Sequence, residues 1–138
     1  MEKSLVLIKP DAMERGLATG ILSRIESSGL KLVALRMLHM DRTLAERHYA
    51  IHRDKPFFKD LVDYIISTPI VAAVFEGEDA IERIRKLMGT TDPAKAEDGT
   101  IRQEFGVDIQ RNSTHASDSP ENAVKEIEIF FSRNEIFD

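Results

Sequence analysis

Apolar positions along the 138-residue chain fall into two kinds of run, unbroken and periodic. Ser4 to Lys9 (SLVLIK) is a short unbroken β-prone run stopped by Pro10, which reads as a buried strand and a turn. From Leu17 to Gly29 the apolar residues Leu17, Ile21, Leu22 and Ile25 share one helix face, and Gly29 stands where a C-cap belongs. Lys31 to Met40 (KLVALRMLHM) follows that cap at once and reads most simply as a second strand, with a helix as the alternative. Two helices are expected over Thr43 to His52 and Phe57 to Ser67, separated by the Pro56 break, then a buried strand over Ile70 to Phe75 (IVAAVF). Asp79 to Met88 has helical spacing through Ile81, Ile84 and Met88.

Beyond Gly89 the pattern fails. Gly89 to Thr114 has few apolar residues and no sustained period, and a structureless loop of that length is uncommon in a compact domain unless functional. It runs into RNSTHASDS, residues 111–119, where a short strand would carry His115 at a sheet edge. Ser119-Pro120 then supplies an N-cap and a favoured first helical residue. Ala123, Val124, Ile127, Phe130 and Phe131 make the apolar face of a final helix. This order predicts an α+β, ferredoxin-like βαββαβ sandwich with helices covering one side of a mainly antiparallel sheet, in one domain over residues 1–138.

Composition narrows the chemistry. A chain that is 42% hydrophobic and 31% charged can build a globular core. It has no cysteine, which removes disulfides and thiolate chemistry. The apolar run of MEKSLVLIKPD is too short for a signal or membrane segment, so a cytoplasmic location is expected, without a membrane partner. A net charge of -5 argues against general nucleic-acid binding, and no aromatic strand motif of the RNA-recognition type is present.

His48 and His52 lie four apart on an expected helix, yet HYAIH lacks the glutamate of H-E-x-x-H and has no evident third ligand. His115 with Asp118 offers at most two ligands. No G-x-S-x-G elbow supports a serine hydrolase. No glycine-rich phosphate loop is present either, so a phosphate site has to be built from side chains. Lys9, Arg85 and Arg102 are available for it, although taken singly each reads more simply as a solvated surface charge. Glu126 sits at the edge of the Ala123, Ile127 and Phe130 stripe, where its carboxylate could take a hydrogen bond from one nitrogen of His115 and leave the other free to attack. Ser117, on the same side of the strand as His115, could hold that carboxylate. Pattern alone leaves two readings open for His115, an oriented nucleophile and a satisfied structural histidine.

The ordered set Lys9-Pro10-Asp11, Arg15-Gly16, His48-Tyr49, Arg53-Asp54-Lys55-Pro56-Phe57-Phe58, Gly99-Thr100-Ile101-Arg102 and Arg111 to Ser119 closely resembles the nucleoside diphosphate kinases over nearly the whole chain. The resemblance implies a transferase that moves the γ-phosphoryl group of a nucleoside triphosphate, typically ATP, to nucleoside diphosphates by a ping-pong route, maintaining triphosphate pools. His115 would be the nucleophile through Nδ1, with Glu126 holding Nε2 and Ser117 bonding to Glu126. Arg85, Thr91 and Arg102 would contact the β- and γ-phosphates, and His52 would lie near the α-phosphate. Lys9 and Asn112 would meet the sugar hydroxyls, with Lys9 also reaching the transferring group and Tyr49 close to it. Phe57 would stack on the base and Ile109 cover its other face. Mg²⁺ would arrive with the nucleotide rather than in a protein cage. Homo-oligomers are implied, hexamers or tetramers built from a common dimer, with the hexamer expected here. Ala116 stands where the family usually has glycine, and a β-region backbone is expected at that position.

Overall fold

The computed structural model describes residues 1–138. Strands Glu2–Ile8 (β1), Lys31–Leu38 (β2), Ile70–Gly77 (β3) and Thr114–Ala116 (β4) form one antiparallel sheet in the order β2-β3-β1-β4. Seven helices surround it: Pro10–Glu14 (α1), Ala18–Ser27 (α2), Arg42–His48 (α3), Phe58–Ile65 (α4), Ala80–Met88 (α5), Ile101–Phe105 (α6) and Pro120–Phe130 (α7). The fold is α+β and ferredoxin-like, as its strand and helix order predicts.

Helices cover both faces of the sheet, not one. Along β1 the side chains alternate, so Leu5 and Leu7 enter one apolar cluster and Val6 and Ile8 the other. In β3, Ala72 and Val74 join the first cluster while Ala73 and Phe75 join the second. The first face is closed by Ala45 of α3, Val62 and Ile65 of α4, and Ile127 and Phe130 of α7. The second is closed by Ala12 of α1, Ile21 and Ile25 of α2, and Ile84 and Met88 of α5. Burying each large aliphatic side chain contributes about 1.5–3 kcal/mol, so the two clusters anchor β1 and with it both ends of the β4 pairing. A register shift between Leu32 and Ala34 leaves neighbouring Val33 and Ala34 in the same cluster.

Three further departures from the expected elements have local causes. Pro10 does not merely stop β1; it occupies the first position of α1, where its fixed φ and missing N–H suit a helix start. Thr43 to His52 is not one continuous helix: α3 ends at His48 and a 3-10 turn spans Ala50–His52. The segment from Gly89 to Thr114 is not structureless, since it contains a 3-10 turn at Pro93–Lys95 and α6, capped by the Thr100 side chain accepting from Gln103 N. Both are too short for a hydrophobic period to show in sequence.

Candidate active site

β4 is the edge strand beside β1, and Leu7 is the register partner of His115. α7 packs back over β1, which brings its polar margin above β4. The start of α7 is fixed by Ser119, whose Oγ accepts from Asn122 N at 3.1 Å, and by Pro120 at the first helical position. Glu126 therefore projects at the strand: its Oε1 lies 3.1 Å from His115 Nε2 and accepts from Ser117 Oγ at 2.8 Å. Ser117 has no exposed surface and its Oγ also accepts from Leu5 N at 3.0 Å, so the carboxylate is tied to the central strand through one hydroxyl. Since Nε2 faces a carboxylate, it carries the hydrogen, and Nδ1 keeps its lone pair. Lys125 and Glu128, flanking on the helix, point into solvent. Ala116 lies within β4 and its φ is not positive, so alanine fits there without strain.

The facing wall is cationic. Lys9 follows β1 as the cap of α1 and is only 6% exposed, and its Nζ donates to Gln110 O at 2.7 Å and Asn112 Oδ1 at 3.0 Å. Burial, and then the nearby Arg102, push the Lys9 ammonium down to about 8. Asn112 is held in turn by donating from Nδ2 to Thr91 O, and Ser113 beside it takes a positive φ of 74°. That bend joins the long loop to β4, and Lys9 N donates to Ser113 O across it. Arg102 lies on α6, 8% exposed, rather than on a loop; it is not a solvated charge. It donates to Gly89 O and Thr114 O, both at 3.0 Å, while its Nε is buried and unpaired. Burial, and then Arg85, push its guanidinium down to about 10. Arg85 itself is exposed on α5.

These walls enclose a cleft of about 1000 Å³, and all the residues singled out in the sequence line it except Ser117, which lies behind Glu126. At its outer end Phe57 and Ile109 are 46% and 61% exposed, and His52 lies with its ring 5.6 Å from that of Phe57. Tyr49 is buried deeper, which raises its phenol above the ordinary range. In sequence His48 reads with His52 as a weak metal pair or as a solvated or ligand-facing histidine of a helix; in the fold it is buried against His115, their ring centroids 4.8 Å apart. The Asp11–Tyr64 pair was missed: Tyr64 Oη donates to Asp11 Oδ1 and accepts from Asp11 N, and Lys9 Nζ sits 5.9 Å from the Tyr64 ring centroid. Nothing short of the fold places residues so distant in sequence together. A second hollow of about 640 Å³, between the N-terminal residues and α7, contains none of these groups.

Chemically, the cleft combines an oriented imidazole lone pair, several cations with unpaired donors, and an apolar mouth with an aromatic face. That set suits an anion attached to a flat ring. No group of three or more His, Asp or Glu side chains stands ready for a metal ion, so the donor set does not fit a protein-held cation, and a divalent ion here would be held chiefly by the phosphates of a ligand.

The sequence model of a family described as "Nucleoside diphosphate kinase" matches residues 2–136. A nucleoside diphosphate kinase of Dehalococcoides mccartyi is 60% identical over 136 residues, spanning 99% of this chain and 96% of that protein. One from Archaeoglobus fulgidus is 54% identical over 136 residues, spanning 99% and 90%. Among solved structures, the nucleoside diphosphate kinase of Aquifex aeolicus superposes with a TM-score of 0.95 at 46% identity, covering 98% of each chain. A halophilic nucleoside diphosphate kinase from Halobacterium salinarum, in complex with CDP, superposes with a TM-score of 0.96 at 44% identity, covering 99% and 91%.

Proposed function

The chain belongs to the nucleoside diphosphate kinase family and is a nucleotide phosphotransferase, and we propose that His115 is the residue that carries the phosphoryl group between nucleotides. One observation carries this reading: Glu126 holds Nε2 at 3.1 Å while Nδ1, unbonded to the protein, faces a cation-lined cleft. In the first half-reaction the Nδ1 lone pair forms a bond to the γ-phosphorus as the bond from that phosphorus to the β–γ bridging oxygen breaks. The electron pair leaves on the diphosphate. The positive charge left on the ring is offset by the Glu126 carboxylate across the Nε2–H. In the second, a terminal oxygen of another diphosphate attacks the same phosphorus and the ring recovers its lone pair.

The remaining residues bind and orient. Arg102 and Arg85 take the β- and γ-phosphates with Thr91, Lys9 reaches the sugar and the transferring group with Asn112, and His52 meets the α-phosphate. Tyr49 stands by the transferring group. Phe57 and Ile109 take the base between them, and stacking of this kind tolerates any base. Ser117 fixes Glu126. The cation that accompanies the phosphates is Mg²⁺, which neutralises charge that develops on them.

The working unit is the single domain of residues 1–138. It assembles as a homo-oligomer, a hexamer built from dimers. In support, β2 is a free sheet edge, and Leu35 and Met37 on it are 52% and 66% exposed, an apolar edge that invites cover. No helix is long and apolar enough to cross a membrane, and we place the enzyme in the cytoplasm, maintaining triphosphate pools.

A two-substrate kinetic experiment tests the reading. With ATP and a second diphosphate varied together, parallel double-reciprocal lines are expected. Intersecting lines, meaning that both nucleotides bind before transfer, would exclude a phosphorylated enzyme on the path.

A further inference from the structure

α6 brings Arg102 to the cleft on a helix of only five residues, a length that has little stability of its own. Ile101 is its one fully buried apolar residue. Two arginines from elsewhere in the chain tie this helix down. Arg24 of α2 donates from Nη2 to Gly99 O, just before α6, and from Nη1 to Glu104 Oε2 at 2.8 Å, near its end. Its guanidinium also lies 5.9 Å from the Phe105 ring centroid. Arg15, directly after α1, donates from Nη1 to Phe105 O, one of the terminal carbonyls that a helix cannot pair internally. None of these five residues, Arg15, Arg24, Gly99, Glu104 and Phe105, lines the cleft.

Stability alone does not account for these ties. The Arg24 and Glu104 side chains are 31% and 42% exposed, and an ion pair of that kind contributes little. α2 is anchored without them, through Ile21 and Ile25. What three guanidinium nitrogens bonded around one short helix do fix is where it sits, and the only buried polar side chain on it is Arg102. Arg102 reaches Gly89 O and Thr114 O, both at 3.0 Å, from that backbone. A misplacement of about 1 Å in a group that meets the reacting phosphates is enough to slow transfer severely. We propose that Arg24, assisted by Arg15, is a positioning residue for phosphoryl transfer, acting on the phosphates of the nucleotide through Arg102. This rests on the reading that Arg102 meets those phosphates.

The experiment is a double-mutant cycle on the full chain. Arg24→Met, Arg24→Lys and Arg15→Met are each made in the unmodified chain and in Arg102→Met. Rapid quenching with γ-labelled ATP and Mg²⁺ gives the rate of phosphorylation, and denaturant melts give stability. In the unmodified chain Arg24→Met should slow phosphorylation about tenfold while the denaturant midpoint holds. In Arg102→Met the same substitution should change the rate by less than about twofold, because the group it positions is gone. Arg24→Lys keeps the charge and one of the two anchors, so part of the rate returns. Arg15→Met, which removes the separate tie at Phe105 O, should slow transfer less than Arg24→Met, and that slowing too should vanish in Arg102→Met. A normal rate in Arg24→Met, an equal loss in both backgrounds, or slowing only in step with lost stability would overturn the proposal while leaving Arg102 in its role. Normal transfer in Arg102→Met itself would overturn the reading of Arg102 on which the proposal rests.

Discussion

The two walls of the cleft are built on opposite plans. On the β4–α7 side, His115 Nδ1 apart, the orienting groups are paired within the protein: His115 Nε2 and Ser117 Oγ share Glu126 Oε1, and Ser117 Oγ is fixed by Leu5 N. On the other side, cations crowd one another and donors are left over. Lys9 and Arg102 are both buried and each is destabilised by a neighbouring positive charge, Arg102 Nε is unpaired, and both nitrogens of His48 are unpaired. The first wall spends its hydrogen bonds on orientation before any substrate arrives. The second leaves groups unpaired among like charges, a repulsion that an anion bound in the proposed manner would relieve. Stability and catalysis should therefore separate between the walls.

Arg102→Met breaks the comparison hardest. The variant loses two hydrogen bonds to carbonyl oxygens but also removes a costly buried cation. Its unfolding free energy should change by no more than about 2 kcal/mol, while phosphoryl transfer falls by about a thousandfold. Denaturant melts and single-turnover rates on the same preparation check both halves; a loss of stability with normal turnover would place Arg102 in the scaffold instead.

On the opposite wall, Glu126→Ala strands His115 Nε2 and the buried Ser117 hydroxyl together. A cost of about 1–3 kcal/mol in stability is expected, with transfer slowed about a hundredfold yet not abolished, since the nucleophile remains. Unchanged kinetics would mean that the carboxylate orients nothing.

Smallest in its effect on transfer, and most informative about charge, is the titration of Lys9. Its ammonium titrates near 8 in the fold against 10.5 ordinarily. Between those values the unfolded chain holds more protons than the folded one, so the contribution of this residue to stability grows as pH rises across the window, reaching about 3 kcal/mol at the top. Nucleotide binding runs the other way. Phosphates beside Lys9 raise its pKa in the complex, so affinity is full below pH 8 and declines above it, and binding takes up protons. Calorimetry of ADP binding at pH 8.5 in two buffers of different ionisation enthalpy should register that uptake; identical heats would contradict it.

Most of the scaffold is legible in the chain because its elements carry strong periods. α7 shows its face in Ala123, Ile127 and Phe130, and the unbroken runs of β1 and β3 carry a clue that deserves more weight: a strand apolar at every position is a strand covered on both faces. α1 and α6 are hidden because five residues are too few to repeat, and because Pro10 looks like a stop until it is seen as a helix start. The orienting wall can be read locally, since His115, Ser117 and Glu126 fall within twelve residues spanning 115–126 on adjacent elements. The cationic wall cannot. Lys9, Arg85 and Arg102 come from three separate helix ends and acquire meaning only through the fold or through resemblance to relatives. His48 shows why burial has to be seen: in sequence it pairs with His52, and in space it turns to His115.

The central claim is that one lone pair, on Nδ1 of His115, takes the phosphoryl group. Incubating the protein with γ-labelled ATP and Mg²⁺, then digesting and mapping the label by mass spectrometry and ³¹P spectroscopy, tests it most directly. The account predicts acid-labile, alkali-stable phosphate on Nδ1 of His115, absent from His115→Ala and discharged by any added nucleoside diphosphate. Phosphate on another residue, or undiminished labelling of His115→Ala, would contradict it.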